Sequence, residues 1–357
     1  MLSGLSGVNA TSAAASGPPD SSAAGESAIT VPGGFAVADV LDGLDRPTQI
    51  AVAGEDLIVA QLNGGESDGT GQVLRIAMDD PNDREVLFAD LLKPTGIAVL
   101  DDELWVMQER SLSRGPLAGG ELETVLSDLP YNGRSEGTLT VSPDGQILYN
   151  TSGTLDGVDA VSGSATLWAL TPGEEPEALA TGFKNAYGRT FAPDGTLWQA
   201  EISDGTYDGA PAPDELVRVE AGDDFGWPQC IGDRLPVEFY DGTDDRCANT
   251  PRSHALFDPG STPTSVAVAP WNDNVLLVSL WVQSRIVAVP AASGDDTSSS
   301  APDSSGPSGT DDDGGPVEYT DFITGIERPQ FLLADGDRLL VVDYGGGRIV
   351  AVTESTG

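Results

Sequence analysis

An all-β fold, a propeller of six four-stranded blades, is predicted for this sequence of 357 residues by two observations. The first is the composition of its segments: short runs rich in β-branched residues alternate with Gly, Asp and Pro, and helix signals are few. The second is an internal repeat at a spacing of about 40 to 50 residues, which is the length of a propeller blade. A pair of β-sandwiches would explain the first observation but not the repeat.

Six copies of the repeat begin the six blades. The motif DRPTQIAV at 45–52 recurs as LKPTGIAV at 92–99, STPTSVAV at 261–268 and, more loosely, GRSEGTLTV at 133–141, FKNAYGRTF at 183–191 and ERPQFLLA at 327–334. A turn and a second apolar run follow each copy, and a third run often follows the second. Residues 34–354 are therefore predicted to form one propeller domain.

Two segments have compositions that do not form a packed core. Residues 1–33 are rich in Ser, Ala, Gly and Pro, and we expect a flexible stalk of the kind found on exported proteins, although no export signal is visible in them. Residues 291–315 are predicted to be a disordered acidic loop between blades 5 and 6. No apolar run reaches the ~18 residues of a membrane span. The sequence thus favours an extracellular or cell-surface location.

The charge balance excludes several classes of partner. The formal net charge is −40, with 57 acidic and 17 basic residues, while 39% of the residues are hydrophobic and can form a core. Nucleic acids and anionic membranes require a basic face, so neither is an expected partner. A strongly acidic surface stays hydrated in concentrated salt, where repulsion is screened. We therefore expect a halophilic source, and a calcium-loaded secreted protein is the alternative.

The two cysteines of the chain, Cys230 and Cys247, are separated by a turn-rich acidic loop. That spacing allows a disulfide that closes one local loop, which would fit an oxidising compartment. Two unrelated buried thiols are the alternative.

Cations are concentrated where the inner strands of the blades begin. In a propeller these positions lie at the mouth of the central channel. Read from the six copies, they are Arg46, Lys93, Arg134, Lys184, Thr262 and Arg328. Five of the six are cations and include both lysines of the chain. Two interpretations remain open: acidic residues such as Asp45, Glu136 and Glu327 each pair with the cation of the adjacent blade, or the cations hold a multiply charged anionic ligand.

The central third of the chain resembles a known family. The segments GFKNAYG at 182–188, PDG at 193–195, DEL at 214–216 and GDDFGWP at 222–228 are similar in order and spacing to those of the soluble quinoprotein glucose and sorbosone dehydrogenases. Members of that family are six-bladed propellers that carry pyrroloquinoline quinone (PQQ) and calcium. The resemblance implies the same fold and cofactors here.

The resemblance also implies roles for individual residues. Lys184 and Asn185 match an Arg-Asn pair that binds the quinone, Arg328 matches an arginine of the last blade, and Gln330 stands where the family has a further arginine. Lys93 joins this candidate cofactor site as a mouth cation. Ser203 and Asp204 lie near the ligands of the cofactor's calcium. Asp214 and Glu215 match ligands of a second, structural calcium, and Phe225 replaces a tyrosine beside it; hard oxygen ligands suit this ion.

One departure from the family concerns catalysis. Arg134 occupies the place of the catalytic histidine, the base that takes the substrate's hydroxyl proton, and an arginine stays protonated. Glu136 is the candidate substitute base if burial raises its pKa, and an ion pair with Arg134 is the alternative. The single histidine, His254, is expected on a loop away from catalysis.

The resemblance, together with the cations at the channel mouth, therefore implies PQQ- and calcium-dependent oxidation of an aldose sugar or related alcohol, with electrons passed to an external acceptor. A non-catalytic extracellular propeller that binds an anionic ligand is the alternative, which the loss of the histidine favours. A metal-dependent lactonase-type propeller would require a Glu, an Asn and an Asp at one metal, and Asn185 alone suggests it.

Overall fold

The structure is a computed structural model that describes residues 29–134, 136–203, 206–207, 209–292 and 315–355. Most of the predicted stalk and of the predicted acidic loop lies outside these residues. Within them, no helix has the length and apolar character needed to cross a membrane.

Strands account for nearly all of the regular structure. In chain order they are β1 (Phe35–Leu41), β2 (Pro47–Ala53), β3 (Asp56–Gln61), β4 (Gly71–Ala77), β5 (Arg84–Leu91), β6 (Gly96–Leu100), β7 (Glu103–Met107), β8 (Leu112–Pro116), β9 (Glu123–Leu126), β10 (Thr140–Val141), β11 (Ile147–Thr151), β12 (Leu155–Asp156), β13 (Asp159–Ala160), β14 (Thr166–Leu170), β15 (Glu177–Thr181), β16 (Ala186–Phe191), β17 (Leu197–Glu201), β18 (Thr206–Tyr207), β19 (Ala210–Pro211), β20 (Asp214–Val219), β21 (Cys230–Ile231), β22 (Leu235–Pro236), β23 (Ser253–Phe257), β24 (Pro263–Ala269), β25 (Asn272–Leu280), β26 (Arg285–Pro290), β27 (Thr320–Thr324), β28 (Pro329–Asp335), β29 (Arg338–Asp343) and β30 (Arg348–Glu354). A 3-10 helix at Glu238–Tyr240 and a one-turn helix, α1 (Asp244–Cys247), complete the described elements.

Six antiparallel sheets of four strands form the blades, which confirms the predicted six-bladed propeller. From the inner to the outer strand, the orders in blades 1 to 6 are β2-β3-β4-β5, β6-β7-β8-β9, β10-β11-β14-β15, β16-β17-β20-β23, β24-β25-β26-β27 and β28-β29-β30-β1. The inner strand β2 contacts both β6 and β28, so the first and last blades are neighbours and the ring is closed.

The N-terminal strand closes this ring. β1 pairs with β30, with Val37 opposite Val352, so the last blade takes its outer strand from the start of the chain. Just before β1, Thr30 exchanges two backbone hydrogen bonds with Thr324 of blade 5, at 2.9 and 3.0 Å. Residues 29–33, which the sequence assigns to the stalk, therefore contact the propeller.

Apolar side chains fill the interfaces between blades. Along β3, Leu57 and Val59 point into the cluster between blades 6 and 1, whereas Ile58 and Ala60 point into the cluster between blades 1 and 2. Successive side chains of a strand face opposite sides of its sheet, and here both sides are covered. This packing explains why the second strands appear as continuous apolar runs in the sequence.

The inner strands approach closely enough to close the channel below its mouth. A Cβ atom on Gly188 would overlap the carbonyl oxygen of Thr264 in the next blade, so only glycine fits there. The Gln49 side chain accepts hydrogen bonds from the backbone N–H groups of Ile97 and Leu139, both at 3.0 Å, and donates to the Leu139 carbonyl. One glutamine thus joins three blades across the axis.

The main departure from the blade pattern is an insertion at 220–252, between the third and fourth strands of blade 4. It runs beside β15 of blade 3, and the Trp227 N–H donates to the Gly182 carbonyl at 3.0 Å. Cys230 and Cys247 form a disulfide with a Cα–Cα distance of 5.6 Å, which confirms the predicted pairing. The insertion therefore carries the FGWP segment to the face where the channel opens.

Candidate functional site

Four of the six predicted mouth residues share a left-handed backbone. The φ angles are 54° for Arg46, 52° for Lys93, 60° for Thr262 and 63° for Arg328. Each precedes a proline, which disfavours right-handed helical backbone in the residue before it. The left-handed region costs a residue with a side chain about 1 kcal/mol, and a β-branched threonine is an outlier there. The same strained position is thus repeated in four blades.

The carbonyl groups of these residues also fix the loops that form the cavity wall. The carbonyls of Arg46, Thr262 and Arg328 accept hydrogen bonds from the backbone N–H groups of Leu62, Trp281 and Tyr344, at 3.1, 3.0 and 3.2 Å. These three donors all line the channel mouth. In blades 1, 5 and 6, one backbone hydrogen bond therefore fixes the position of the mouth residue and of a neighbouring residue of the cavity wall.

A cavity of about 350 Å³ occupies the channel mouth. Five of the predicted site and mouth residues line it: Lys93, Arg134, Asn185, Thr262 and Gln330. Its other polar and aromatic lining residues are Thr48, Glu66, Thr95, Tyr187, Thr264, Trp281 and Tyr344. We call this space the mouth cavity.

The remaining predicted cations lie outside the mouth cavity. Arg46 is partly exposed and pairs at 3.1 Å with Asp45, its neighbour in the same blade, whereas the ion-pair interpretation predicts a partner in the adjacent blade. Arg328 is exposed, and its guanidinium lies 4.7 Å from the centre of the Trp281 ring. Lys184 lines a second, neighbouring cavity. Of the six predicted mouth residues, therefore, only Lys93, Arg134 and Thr262 line the mouth cavity.

Lys93 is buried and held in a polar cage. Its ammonium lies 2.9 Å from the Glu66 carboxylate, 2.9 Å from the Arg134 carbonyl and 3.3 Å from the Tyr131 hydroxyl. Burial disfavours the ammonium, but the hydrogen bond to Glu66 and its charge outweigh that effect, so the pKa of Lys93 is raised. Glu66 could not be recognised from the sequence, because the loop before β4 carries no motif that indicates a contact in the next blade.

Asn185 and Gln330 present amide groups to the mouth cavity. The Asn185 side chain donates to the Ile202 carbonyl at 2.9 Å and accepts from Asn132 at 2.8 Å. Gln330 donates to the hydroxyl of Tyr187 at 2.8 Å. Both amides are therefore held in fixed orientations by contacts within the protein.

Glu201 positions the Lys184-Asn185 segment. One of its carboxylate oxygens, Oε1, accepts the backbone N–H of Lys184 at 2.6 Å and that of Asn185 at 3.2 Å. The other oxygen, Oε2, is buried and has no hydrogen-bond partner among the described residues. Burial raises the pKa of Glu201 well above its ordinary value, and the carboxyl group of Glu215 adds to the rise. Sequence reasoning did not single out this residue.

Arg134 and Glu136 occupy different environments. Arg134 is exposed and lines both the mouth cavity and the second cavity. Glu136 is fully buried and accepts hydrogen bonds from the Ser152 hydroxyl at 2.5 Å and from Asn150 at 3.2 Å. The backbone N–H of Ser152 donates a further hydrogen bond to the Glu136 carboxylate at 3.1 Å. Burial raises the pKa of Glu136 to about 8.

Asp214 acts as a brace between blades 4 and 5. Its carboxylate accepts the backbone N–H of Ser203 at 3.0 Å, that of Thr262 at 2.8 Å, and the Ser261 hydroxyl at 3.1 Å. Of the other predicted metal ligands, Asp204 lies outside the described residues. Asp214 therefore makes contacts that hold the backbone of Thr262 at the mouth.

Glu215 and Glu201 face one small space. Glu215 accepts hydrogen bonds from the Ser253 hydroxyl at 2.5 Å and from the Gly232 N–H at 2.8 Å, and burial raises its pKa to about 7. A cavity of about 20 Å³ is lined by Glu201, Ser203 and Glu215. Among the residues that the structure describes, no three or more His, Cys, Asp or Glu side chains group as a metal site. The unpaired oxygen of Glu201 and hard oxygen neighbours nevertheless suit one cation or water.

His254 lies in β23, not on a loop as expected. Its ring contacts Trp198, with 4.5 Å between the ring centroids, and its Nε2 lies 2.7 Å from the Pro290 carbonyl oxygen. The residue therefore joins the outer parts of blades 4 and 5, far from the inner strands.

Residues 166–299 match the sequence model of the family described as Glucose / Sorbosone dehydrogenase. The match covers the central region where the quoted motifs lie, which confirms the resemblance predicted from them. No curated protein sequence matches the chain.

Solved structures of sugar dehydrogenases share the fold. The PQQ domain of pyranose dehydrogenase from Coprinopsis cinerea, in its holo form, has a TM-score of 0.71 at 18% identity, covering 92% of this chain and 98% of that one. The PQQ-bound aldose sugar dehydrogenase from Streptomyces coelicolor has a TM-score of 0.63 at 17% identity, with 91% and 99% covered. The soluble aldose sugar dehydrogenase from Escherichia coli, in its apo form, gives 0.64 at 14%, with 90% and 100% covered. At these identities the likeness establishes the fold.

Proposed function

We propose that this protein is a quinoprotein dehydrogenase that oxidises an aldose sugar or related alcohol with PQQ and calcium and passes the electrons to an external acceptor. The observation that carries the proposal is the mouth cavity itself, where Lys93, Arg134, Asn185 and Gln330 converge at the end of the channel. The partial family match and the fold of the PQQ-bound sugar dehydrogenases support it.

The residues of the cavity suit a planar, carboxylated cofactor. Lys93 and Arg134 supply positive charge, and Asn185 and Gln330 supply oriented amide groups that can hydrogen-bond to carboxylate and carbonyl oxygens. Trp281 provides aromatic wall surface. When bound, PQQ supplies a quinone that accepts a hydride. The chain's own residues would orient the cofactor and the substrate and handle the hydroxyl proton.

We assign the role of proton acceptor to Glu66. A guanidinium group has no acceptor for a proton, which excludes Arg134 as the base for a substrate hydroxyl. Glu136 is excluded because it has no surface on the mouth cavity. Glu66 lines the cavity, and its carboxylate is the partner of Lys93. Lys93 would hold the Glu66 carboxylate in position for this role.

We assign a structural cation, calcium by its ligand chemistry, to the small cavity between Glu201, Ser203 and Glu215. The unpaired Oε2 of Glu201 is the observation in favour, because a buried carboxylate oxygen without a partner is costly. Asp204 follows Ser203 in the sequence, and the two residues remain proposed ligands of the cofactor's calcium. Asp214 remains a candidate, although its described contacts are to protein donors.

An extracellular or surface location in a saline environment is part of the proposal. The net charge of −40 and the Cys230–Cys247 disulfide support it, since disulfides persist in oxidising compartments.

A non-catalytic propeller that binds an anionic ligand is the second candidate. Arg134 in the place of the family's histidine and the burial of Glu136 favour it. In that case the mouth cavity would hold its ligand through Lys93 and Arg134 without turnover.

Titration of the purified protein with PQQ in high salt and calcium separates these candidates. We expect a bound-quinone absorption band and dye reduction with members of an aldose panel, and we expect Glu66→Gln to bind PQQ but lose turnover. Quinone binding without turnover by any aldose or alcohol would favour the second candidate. The absence of binding would overturn the cofactor assignment.

A further inference from the structure

Arg189 is a buried cation to which the proposed function gives no role. It lies in β16, the inner strand of blade 4, and is 3% exposed. Its hydrogen-bond partners in the described part of the chain are all uncharged oxygen atoms. They are the side-chain oxygens of Gln199 and Asn150 and the carbonyl oxygens of Thr138, Leu148, Ala186 and Tyr187. Burial lowers the pKa of Arg189 to about 9, so the group is still charged at neutral pH. Because a charge is costly to bury, a cation with only these partners calls for an explanation.

The guanidinium closes a bulge in its own strand. Ala186 lies opposite Glu201 of β17, and Arg189 lies opposite Gln199. Between these two pairs, β16 has one residue more than β17, which defines the bulge. The carbonyl groups of Ala186 and Tyr187 both accept hydrogen bonds from the Nη2 atom of Arg189, at 2.9 and 3.2 Å. Arg189 therefore fixes the backbone on both sides of the Tyr187 side chain.

Blades 1 and 5 have bulges at the same place in their inner strands but close them differently. These bulges hold Thr48 and Thr264, where the register shifts as it does in β16. Each threonine hydroxyl donates to a proline carbonyl of the next blade, at 2.7 and 3.0 Å. The hydroxyl of a tyrosine lies at the far end of its ring and cannot make this short contact. In blade 4 the guanidinium of Arg189 supplies the donors instead.

Tyr187 takes the place of these threonines at the mouth. It lines the mouth cavity, as Thr48 and Thr264 do. Its hydroxyl accepts a hydrogen bond at 2.8 Å from Gln330, which comes from blade 6. Among the described residues no acceptor takes the proton of that hydroxyl, so the proton is available to a ligand. The position of Tyr187 therefore decides where the cavity offers this donor.

We propose that Arg189 is a positioning residue for the mouth cavity: it holds the backbone of the β16 bulge so that the Tyr187 hydroxyl faces Gln330 and the ligand. The inference deepens the proposed function and rests on it only for the ligand used as a probe. The contact between Tyr187 and Gln330 reports the position of the phenol without any ligand.

The coupling between Tyr187 and Gln330 tests this role. Tyr187→Phe, Gln330→Leu and the double variant are unfolded in urea, first alone and then in an Arg189→Lys background, which keeps the charge but loses the planar fork of donors. The coupling is the factor by which the double variant's equilibrium constant of unfolding departs from the product of the two single effects. Arg218→Lys is the matched control background, because Arg218 is an arginine of the same blade whose side chain is 61% exposed.

We expect a coupling of about fivefold in the unmodified protein, the size of one hydrogen bond, and none in the Arg189→Lys background. Any buried arginine would lower stability when replaced, so only the loss of coupling supports the positioning role. If Arg189→Lys does not fold, Gln199→Leu, which keeps the arginine and removes the acceptor of its Nε–H, should weaken the coupling. No coupling in the unmodified protein, or an unchanged coupling in whichever of these two variants folds, would overturn the proposal.

Titration with PQQ separates this inference from the proposed function. Arg189→Lys should weaken quinone binding about tenfold, whereas Arg218→Lys should leave it unchanged. Loss of coupling in a protein that never binds PQQ would support the positioning role and remove the dehydrogenase. Quinone binding and turnover, with an unchanged coupling in Arg189→Lys, would remove the positioning role and leave the dehydrogenase standing.

Discussion

The carboxylate of Asp214 holds a strained residue at the channel mouth. It accepts the N–H of Thr262, whose φ of 60° is unusual for a β-branched residue. Asp214 also accepts the N–H of Ser203 in its own blade, so a single side chain joins two blades beside the mouth cavity. Buried carboxylates such as those of Asp214 and Glu201 thus hold the backbone of the site in place by accepting hydrogen bonds from its N–H groups.

The buried carboxyl group of Glu136 should make the stability of the protein pH-dependent. Its pKa is raised to about 8, so between its ordinary value and pH 8 the folded protein holds a proton that the unfolded chain releases. The stabilising effect is therefore present at low pH and is lost as the pH rises through 8. The free energy of unfolding should fall by on the order of 1 kcal/mol per pH unit within this range.

Glu136→Gln should reduce that dependence, because its amide does not ionise, while the buried carboxyl groups of Glu201 and Glu215 continue to contribute. Denaturant unfolding from pH 5 to pH 9 at constant salt measures the slope. Glu177→Gln, which removes an exposed carboxylate in β15, is the control. Identical slopes in the unmodified protein and in Glu136→Gln would contradict the assignment of this proton.

Glu201 should carry the response of stability to calcium. If its unpaired oxygen binds the ion, calcium at about 100 times its dissociation constant stabilises the folded state by ~2.7 kcal/mol. Glu201→Gln should lose this increment, whereas Glu177→Gln, which removes an exposed carboxylate in β15, should keep it. Thermal unfolding with calcium and with a chelator measures both, and an unchanged increment in Glu201→Gln would remove calcium from this cavity.

The elements of the fold were predictable from the sequence to different degrees. The inner and second strands of each blade were visible because β3 and its equivalents are apolar on both faces. The outer strands were not, since β5 and β15 mix exposed and buried residues and carry no motif. The closing strand β1 pairs with residues more than 300 positions away, and no local pattern indicates such a partner.

The candidate site shows the same division. The mouth positions of Lys93 and Thr262 were predictable, because the residue-proline step that begins an inner strand is local in sequence. Glu66 and Glu201 were missed, since their importance comes from contacts that the fold creates, with Lys93 in the next blade and with the N–H groups of a preceding loop. Sequence likeness also paired Asp214 with Glu215, whereas the small cavity pairs Glu215 with Glu201.

The disulfide should stabilise the insertion more than the blades. The bond closes a loop between residues 17 positions apart, for which chain entropy gives about 3 kcal/mol. Cys230→Ser/Cys247→Ser should therefore become sensitive to proteases within 229–248 while the six blades persist. Limited proteolysis read by mass spectrometry locates the cuts, and reduction of the unmodified protein should produce the same pattern. Cleavage spread over all blades would show that the bond supports the whole fold.

The whole molecule combines a strongly acidic surface with a mouth that collects cations. With a net charge of −40, repulsion between surface carboxylates opposes the compact state. Surface ion pairs such as Arg285–Asp321 offset little of this, because an exposed pair contributes only ~0.2 to 1 kcal/mol. The stability of the propeller should therefore depend on the ionic strength of its surroundings.

Sodium chloride should stabilise the folded protein. At 1 M salt the screening length falls to ~3 Å, which removes most of the repulsion between carboxylates while leaving the apolar interfaces between blades intact. The free energy of unfolding in urea should rise between low and high salt by more than the ~1 kcal/mol of one surface ion pair. Sucrose at equal osmolality is the control, because it acts through exclusion from the surface and does not screen charge. If the free energy of unfolding falls with salt, or rises by the same amount with sucrose, screening of charge repulsion does not explain the effect of salt.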